Sequence, residues 1–278
     1  MQPVARRVCV AVGYMMTQST IGGDGQTPTP REFVESSVRS GRDTLYKTEQ
    51  RPADFEFDDS VVSVFPDMIG RSVPGYWSIV DGLGRLAAQV GHIQGPVYDL
   101  GSSLGAVTWS VYREAPKQKR IIAVDRSVAM NQRLRLNLES VGWPPNIEVV
   151  DGDICEFPME SASVVILNLA LQFVPLEHRL ALLSRTRDAL RPGGLLLLTE
   201  KITGASAEEE ARLRAWHHQF KRQQGYSEQE IRGKANAIRE VMPTETEKKH
   251  RSRLAQVGFS SVTRWYQAYN FVSWVVCR

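Results

Sequence analysis

The sequence predicts an α/β protein: a seven-stranded, mostly parallel sheet that closes with a C-terminal antiparallel hairpin and carries extra helices on its N-terminal side. Three observations support this. From residue 95 onward, short apolar runs of strand length alternate with stretches of helical spacing, the pattern of parallel strands with helices on both faces. A glycine-rich turn stands where the first such run hands over to a helix. Finally, residues 261–267 and 271–277 are β-branched and aromatic with only residues 268–270 between them, as in two paired antiparallel strands.

In chain order, residues 1–40 are expected to be a flexible extension. Arg6 and Arg7 precede an apolar stretch, like the start of a secretory signal, but residues 18–31 are polar and no small-residue cleavage pattern follows. An extension or an upstream start codon is therefore the preferred reading. Residues 41–278 are expected to form one domain. Within it, residues 54–94 read as helices: Asp59 or Ser60 can cap, Val61, Val62 and Val64 are apolar, and Pro74 and Gly75 stop the first helix and aim Tyr76 at the elements that follow. Strands are expected at 96–100, 120–125, 147–150, 163–169 and 194–199. Helices are expected at 106–114, 127–141 and 176–190, the last stopped by Arg191-Pro-Gly-Gly194. Residues 205–258 read as a charged helical insertion broken at Gly225 and Pro243.

Composition narrows the function classes. With 42% hydrophobic and 23% charged residues among 278, the chain can bury a sizeable core, which excludes collagen-like, coiled-coil and low-complexity readings. Lys and Arg (34) barely exceed Asp and Glu (31), and without a basic tract no direct nucleic-acid binding is expected. The three cysteines are odd in number and lack metal-ligand spacing, so neither a disulfide framework nor a metal site is expected, and a reducing, cytoplasmic compartment fits best. No apolar run approaches the roughly 18 residues that cross a membrane.

An open parallel sheet binds ligands at the carboxyl ends of its strands. There the sequence places Gly101 and Gly105 in D-x-G-x-x-x-G, where the backbone can approach a ligand and free N–H groups can hold a polar or anionic group. Asp125 ends the second strand, where a carboxylate's oxygen pair matches a ribose diol. Asp153 and Ile154 follow the third, suited to an adenine amine and ring, and Asn168 ends the fourth. Each has a plainer alternative: a tight turn, a helix cap at Asp125, a loop carboxylate at Asp153. His217 and His218 are adjacent and do not share a helix face, so joint metal ligation is not expected. A dinucleotide-binding dehydrogenase would need G-x-G-x-x-G, which is missing.

This ordered set resembles the class I S-adenosylmethionine-dependent methyltransferase fold. Further segments, among them Val64-Phe-Pro-Asp-Met-Ile69, Arg71-Ser-Val-Pro-Gly-Tyr76, Tyr98-Asp-Leu-Gly-Ser-Ser-Leu-Gly105, Glu200-Lys201 and His217-His-Gln-Phe-Lys-Arg-Gln-Gln-Gly-Tyr-Ser227, resemble the carboxy-S-adenosyl-L-methionine synthase family over roughly residues 42–276. The resemblance implies conversion of S-adenosyl-L-methionine and prephenate to carboxy-S-adenosyl-L-methionine, phenylpyruvate and water, without a metal. The carbon dioxide lost by prephenate would be captured at the donor methyl. It further implies a cytoplasmic homodimer and a functional link to a tRNA carboxymethyltransferase acting on wobble uridine.

By the same resemblance Tyr76, Gly101, Ser102, Ser103, Asp125, Arg126, Asp153, Ile154 and Asn168 bind the cofactor. Arg222, reaching across a dimer interface, is the cation for the new carboxylate and the catalytic residue; charge pattern alone would make Lys221 and Arg222 a solvated helix face. Two positions depart from the family pattern, Ser102 for the usual Cys and Arg126 for the usual Asn. An ordinary methyltransferase acting on a small molecule or tRNA, and a scaffold that holds the carboxylated cofactor without turnover, are the alternatives.

Overall fold

A computed structural model describes residues 27–36, 41–47 and 56–278; the expectations for residues 1–26 lie outside it. Strands β1 (Val97–Leu100), β2 (Ile121–Asp125), β3 (Ile147–Asp151), β4 (Ala162–Asn168), β5 (Leu190–Thr203), β7 (Ser261–Ala268) and β8 (Phe271–Cys277) form one sheet in the order β3-β2-β1-β4-β5-β8-β7. The first five run parallel, and β8 lies antiparallel between β5 and β7. A short β6 (Glu245–Thr246) pairs with the end of β5, an eighth strand too brief for any periodicity to reveal.

β1 and β4 are buried along almost their whole length, and two apolar clusters lie one on each face of the sheet. That is why these strands read as continuous apolar runs rather than alternating ones. Because β1 pairs with both β2 and β4, the strand order reverses there and the connections diverge to opposite faces. A crevice at the carboxyl ends follows.

The helices α4 (Ala106–Glu114), α5 (Val128–Ser140) and α6 (Leu176–Ala189) fall where spacing places them. The structure corrects several boundaries. α2 (Asp59–Ser72) is capped by Asp58, whose side chain accepts from the Val61 N–H, rather than by Asp59 or Ser60. α6 passes directly into β5, so Arg191-Pro-Gly-Gly194 opens a long strand instead of a separate loop. α3 (Tyr76–Gln89) packs on α4. The region after β5 holds α7 (Ala207–Gln223), α8 (Glu228–Ala237) and α9 (Glu247–Val257). No described helix is long and apolar enough to cross a membrane.

The expected boundary at residue 41 falls too late. Pro30–Glu35 form a helix, α1, with a Thr29/Glu32 capping box, and Phe33 is fully buried, stacked on Trp109 at 4.4 Å between ring centroids. Burying such a ring is worth about 2–3 kcal/mol, enough to dock a six-residue helix that would not form alone. Cys155 keeps a free thiol.

Candidate active site

A cleft of about 1500 Å³, counting its open mouth, lies at the carboxyl ends of β1, β2, β4 and β5 and is roofed by α2, α7 and α8. Tyr76, Gly101, Ser102, Ser103, Asp125, Arg126, Asp153, Ile154 and Asn168 all line it. Residues from Gly101 to Asn168, 67 positions apart in sequence, are thus brought together by a single device, the parallel register of neighbouring strands, and Tyr76 joins them from the start of a helix.

The turn after β1 is shaped by its two glycines. Gly101 has φ 79° and a methyl there would meet the Ala170 Cβ at 2.6 Å; Gly105 has φ 84° and a methyl would meet Leu134 Cδ1 at 2.2 Å. Both glycines are therefore demanded by backbone conformation and packing, in addition to the ligand clearance the motif suggests. Asp125 is held by two main-chain donors, Ser103 N–H at 2.8 Å and Ser127 N–H at 2.9 Å. Burial pushes its carboxyl upward against these bonds. Each oxygen keeps a lone pair for a vicinal diol. The helix cap is Ser127, not Asp125: the Ser127 hydroxyl accepts from the Met130 N–H.

Ser102 Oγ and Asn168 Oδ1 are buried with no hydrogen-bond partner among the described residues. Buried polar atoms are nearly always bonded, so two orphaned atoms facing one cleft fit a polar ligand supplying the missing groups. Leu169, next to Asn168, has φ 60°, a conformation that costs about 1–3 kcal/mol in a residue with a side chain and clusters at functional sites. Tyr76 opens α3 and is buried, its hydroxyl pushed upward by burial and by the nearby Asp99 carboxylate. Asp153 stands exposed at the rim, accepting from the Cys155 N–H at 2.7 Å, and Ile154 lines the wall beside it.

Sequence reasoning missed several lining groups. Asp99, inside the quoted glycine motif, is buried and pushed up to about 6 by its burial, although the Thr108 hydroxyl donates to it at 2.6 Å. Its identity was visible; its burial was not. Lys201, His217, Lys221 and Lys234 also line the cleft. His217 Nε2 lies 2.8 Å from the Ser72 carbonyl, so this nitrogen carries the proton and donates. Burial, then Lys221 and Lys201, push the ring down to about 2, which keeps it neutral.

The sequence profile of a family described as a methyltransferase domain matches residues 97–194. The chain is 44% identical to carboxy-S-adenosyl-L-methionine synthase of Pseudoalteromonas translucida over 85% of its own length and 99% of that protein's. It is 49% identical to the synthase of Pseudomonas putida over 81% and 93%. The chain belongs to the carboxy-S-adenosyl-L-methionine synthase family. Among solved structures, an O-methyltransferase family 2 protein of Planctomyces limnophilus matches with TM-score 0.57 at 17% identity over 80% of this chain and 62% of that one, a likeness of fold. It makes the class I methyltransferase fold an observation.

As a member of this synthase family, the chain shows its two departures in mild settings. Ser102 hangs from a turn whose N–H bonds the Val124 carbonyl, so the backbone shape does not depend on the side chain. Arg126 is exposed at the rim. Arg222, by contrast, is not brought to this chain's own cleft: it lies half exposed and pairs with Glu228 at 2.6 Å. Its neighbour Lys221 turns inward on the same helix, because consecutive helical residues point about 100° apart.

Proposed function

We propose that the protein converts S-adenosyl-L-methionine and prephenate to carboxy-S-adenosyl-L-methionine, phenylpyruvate and water. The carboxyl group lost by prephenate becomes the new carboxylate on the donor carbon, and its hydroxyl group departs as water with a proton from the donor methyl. The observation that carries this reading is the convergence of the nine nucleoside-side positions on one cleft, in a chain close to half identical to named synthases.

In this cleft Asp125 binds the ribose diol, Asp153 and Ile154 take the adenine, and Ser102, Asn168 and Tyr76 orient the methionine end. Apolar side chains of α2, with Ile238 and Met242 just beyond α8, cover the reacting centre and exclude water. The bound sulfonium donor supplies the carbon that becomes carboxylated. Arg222 serves the cleft of a second copy in a homodimer, its guanidinium forking onto the new carboxylate. Its half-exposed position, one residue from inward-facing Lys221, and the exposed Trp216 of the same helix, packed beside Tyr269, support that role. The product serves a tRNA carboxymethyltransferase in the cytoplasm, with no nucleic acid bound here and no metal.

Incubation with S-adenosyl-L-methionine and prephenate, followed by mass spectrometry, tests the reading. A nucleoside heavier by one carboxyl group, appearing together with phenylpyruvate, is expected. Untouched prephenate would turn the reading toward ordinary methyl transfer.

A further inference from the structure

Two of the lysines lining the cleft, Lys201 and Lys221, have no carboxylate partner within ion-pair distance among the described residues. Lys201 at the end of β5, Lys221 on α7 and Lys234 on α8 all reach the same cavity. Lys221 is only 7% exposed. The acids that act on Lys201 and Lys221 through space are already engaged. Asp43, near Lys221, accepts from the Tyr226 hydroxyl at 2.6 Å and the Leu45 N–H at 3.2 Å. Glu210, near Lys201, accepts from the Gly204 N–H at 2.9 Å and from Arg214 at 3.1 Å.

Lys234 Nζ donates to Ser72 Oγ at 3.2 Å, and the neutral His217 ring donates to the same residue's carbonyl. Ser72 thus anchors one edge of the cluster. Burial and mutual repulsion with Lys234 and Lys201 hold the Lys221 ammonium well below the usual lysine range, the strain expected of a buried charge without a counter-ion.

We propose that Lys201, Lys221 and Lys234 form the subsite for the carboxylates of the second substrate, a small dicarboxylate with an apolar body. This rests on the two-substrate reading above. The count of charges favours it over the amino-acid end of the nucleoside donor, which brings one carboxylate together with its own ammonium. Two carboxylates match the cluster. The lining of the same cleft also includes the apolar Met68, Ile69, Val73, Ile238 and Phe271, suited to an unsaturated ring. The arrangement also explains release: once one carboxylate has moved to the donor, the remaining monoanion keeps only part of its hold.

The test uses the full-length protein loaded with S-adenosylhomocysteine, which has no methyl group to react, and prephenate as the calorimetric probe. Wild type is expected to bind prephenate, with at least tenfold weaker binding in Lys221→Met and in Lys234→Met. S-adenosylhomocysteine affinity stays within about twofold, which also reports that each variant is folded. Lys201→Met follows the same pattern, and phenylpyruvate binds wild type at least tenfold more weakly than prephenate does. Unchanged prephenate affinity in the variants, no binding to wild type, or an equal loss of both ligands would overturn the subsite. Turnover by wild type is read separately: product formation with lysine-independent prephenate binding sinks the subsite alone, and lysine-dependent binding without product sinks the reaction alone.

Discussion

The two walls of the cleft are built on opposite electrostatic plans. At the strand tips, negative groups are satisfied before any ligand arrives: Asp125 by two main-chain N–H groups, Asp99 by the Thr108 hydroxyl. Lys201 at the end of β5 and Lys221 on α7 have no such answer among the described residues. A preorganised wall suits the uncharged adenosine part of a ligand, held by hydrogen bonds in fixed directions. An uncompensated wall suits an anion, because only binding removes the cost of the buried charge. On the proposed reaction, the contrast would separate binding of the donor from binding of its partner within one cavity.

Removing the strand-tip carboxylate should have the largest effect. Asp125→Ala loses the diol acceptor and orphans the Ser103 and Ser127 N–H groups; a fall of about 100-fold in S-adenosylmethionine affinity is expected, since hydrogen bonds to charged groups are worth about 1.5–3 kcal/mol each. Calorimetry on this variant beside the lysine variants sharpens the contrast, and a loss below threefold would break it.

β5 joins both plans in successive residues. Lys201 lines the cleft, while Glu200 is wholly buried among Arg179, Glu245 and Arg253, both its oxygens unbonded. Burial pushes Glu200 up to about 8 despite those arginines. The folded protein therefore holds a proton that the unfolded chain gives up near 4.5, and stability falls as pH rises from that value toward 8. Glu200→Gln should flatten the curve, so that the variant gains on wild type by more than about 1 kcal/mol between pH 5 and pH 8 in urea titrations. Parallel curves would show that Glu200 is ionised in the fold.

Arg222→Ala should leave unfolding within about 0.5 kcal/mol, because the Glu228 pair is solvent-exposed. Carboxy-S-adenosylmethionine affinity is expected to fall at least tenfold while S-adenosylmethionine affinity hardly moves; equal losses would remove Arg222 from the carboxylate. The smallest effect belongs to Ser102→Cys. With the turn fixed by the main chain, donor affinity should change less than about threefold by calorimetry, and a larger change would make the side chain a direct ligand.

Much of the strand-tip wall was legible because its information is local. A strand followed by a glycine turn, or by an acid, places a side chain at the carboxyl end wherever the strand lies in the sheet, so Gly101, Asp125, Asp153 and Asn168 could be assigned from spacing and resemblance. The lysine wall was not legible. On charge pattern Lys221 and Arg222 look alike, and only the packing of α7 turns one inward and leaves the other on the surface. Nor does composition set Phe33 apart from an extension, since its stack on Trp109 joins residues 76 positions apart.

The sequence by itself determined the alternation of strands and helices, the closing hairpin and the strand-tip residues that line the cleft, since these follow from periodicity and turn chemistry within a few residues of each other. Only the tertiary structure decided which charges are buried and which are answered. Those depend on what other elements bring near, and Coulomb energies at a few ångströms change severalfold with the local dielectric.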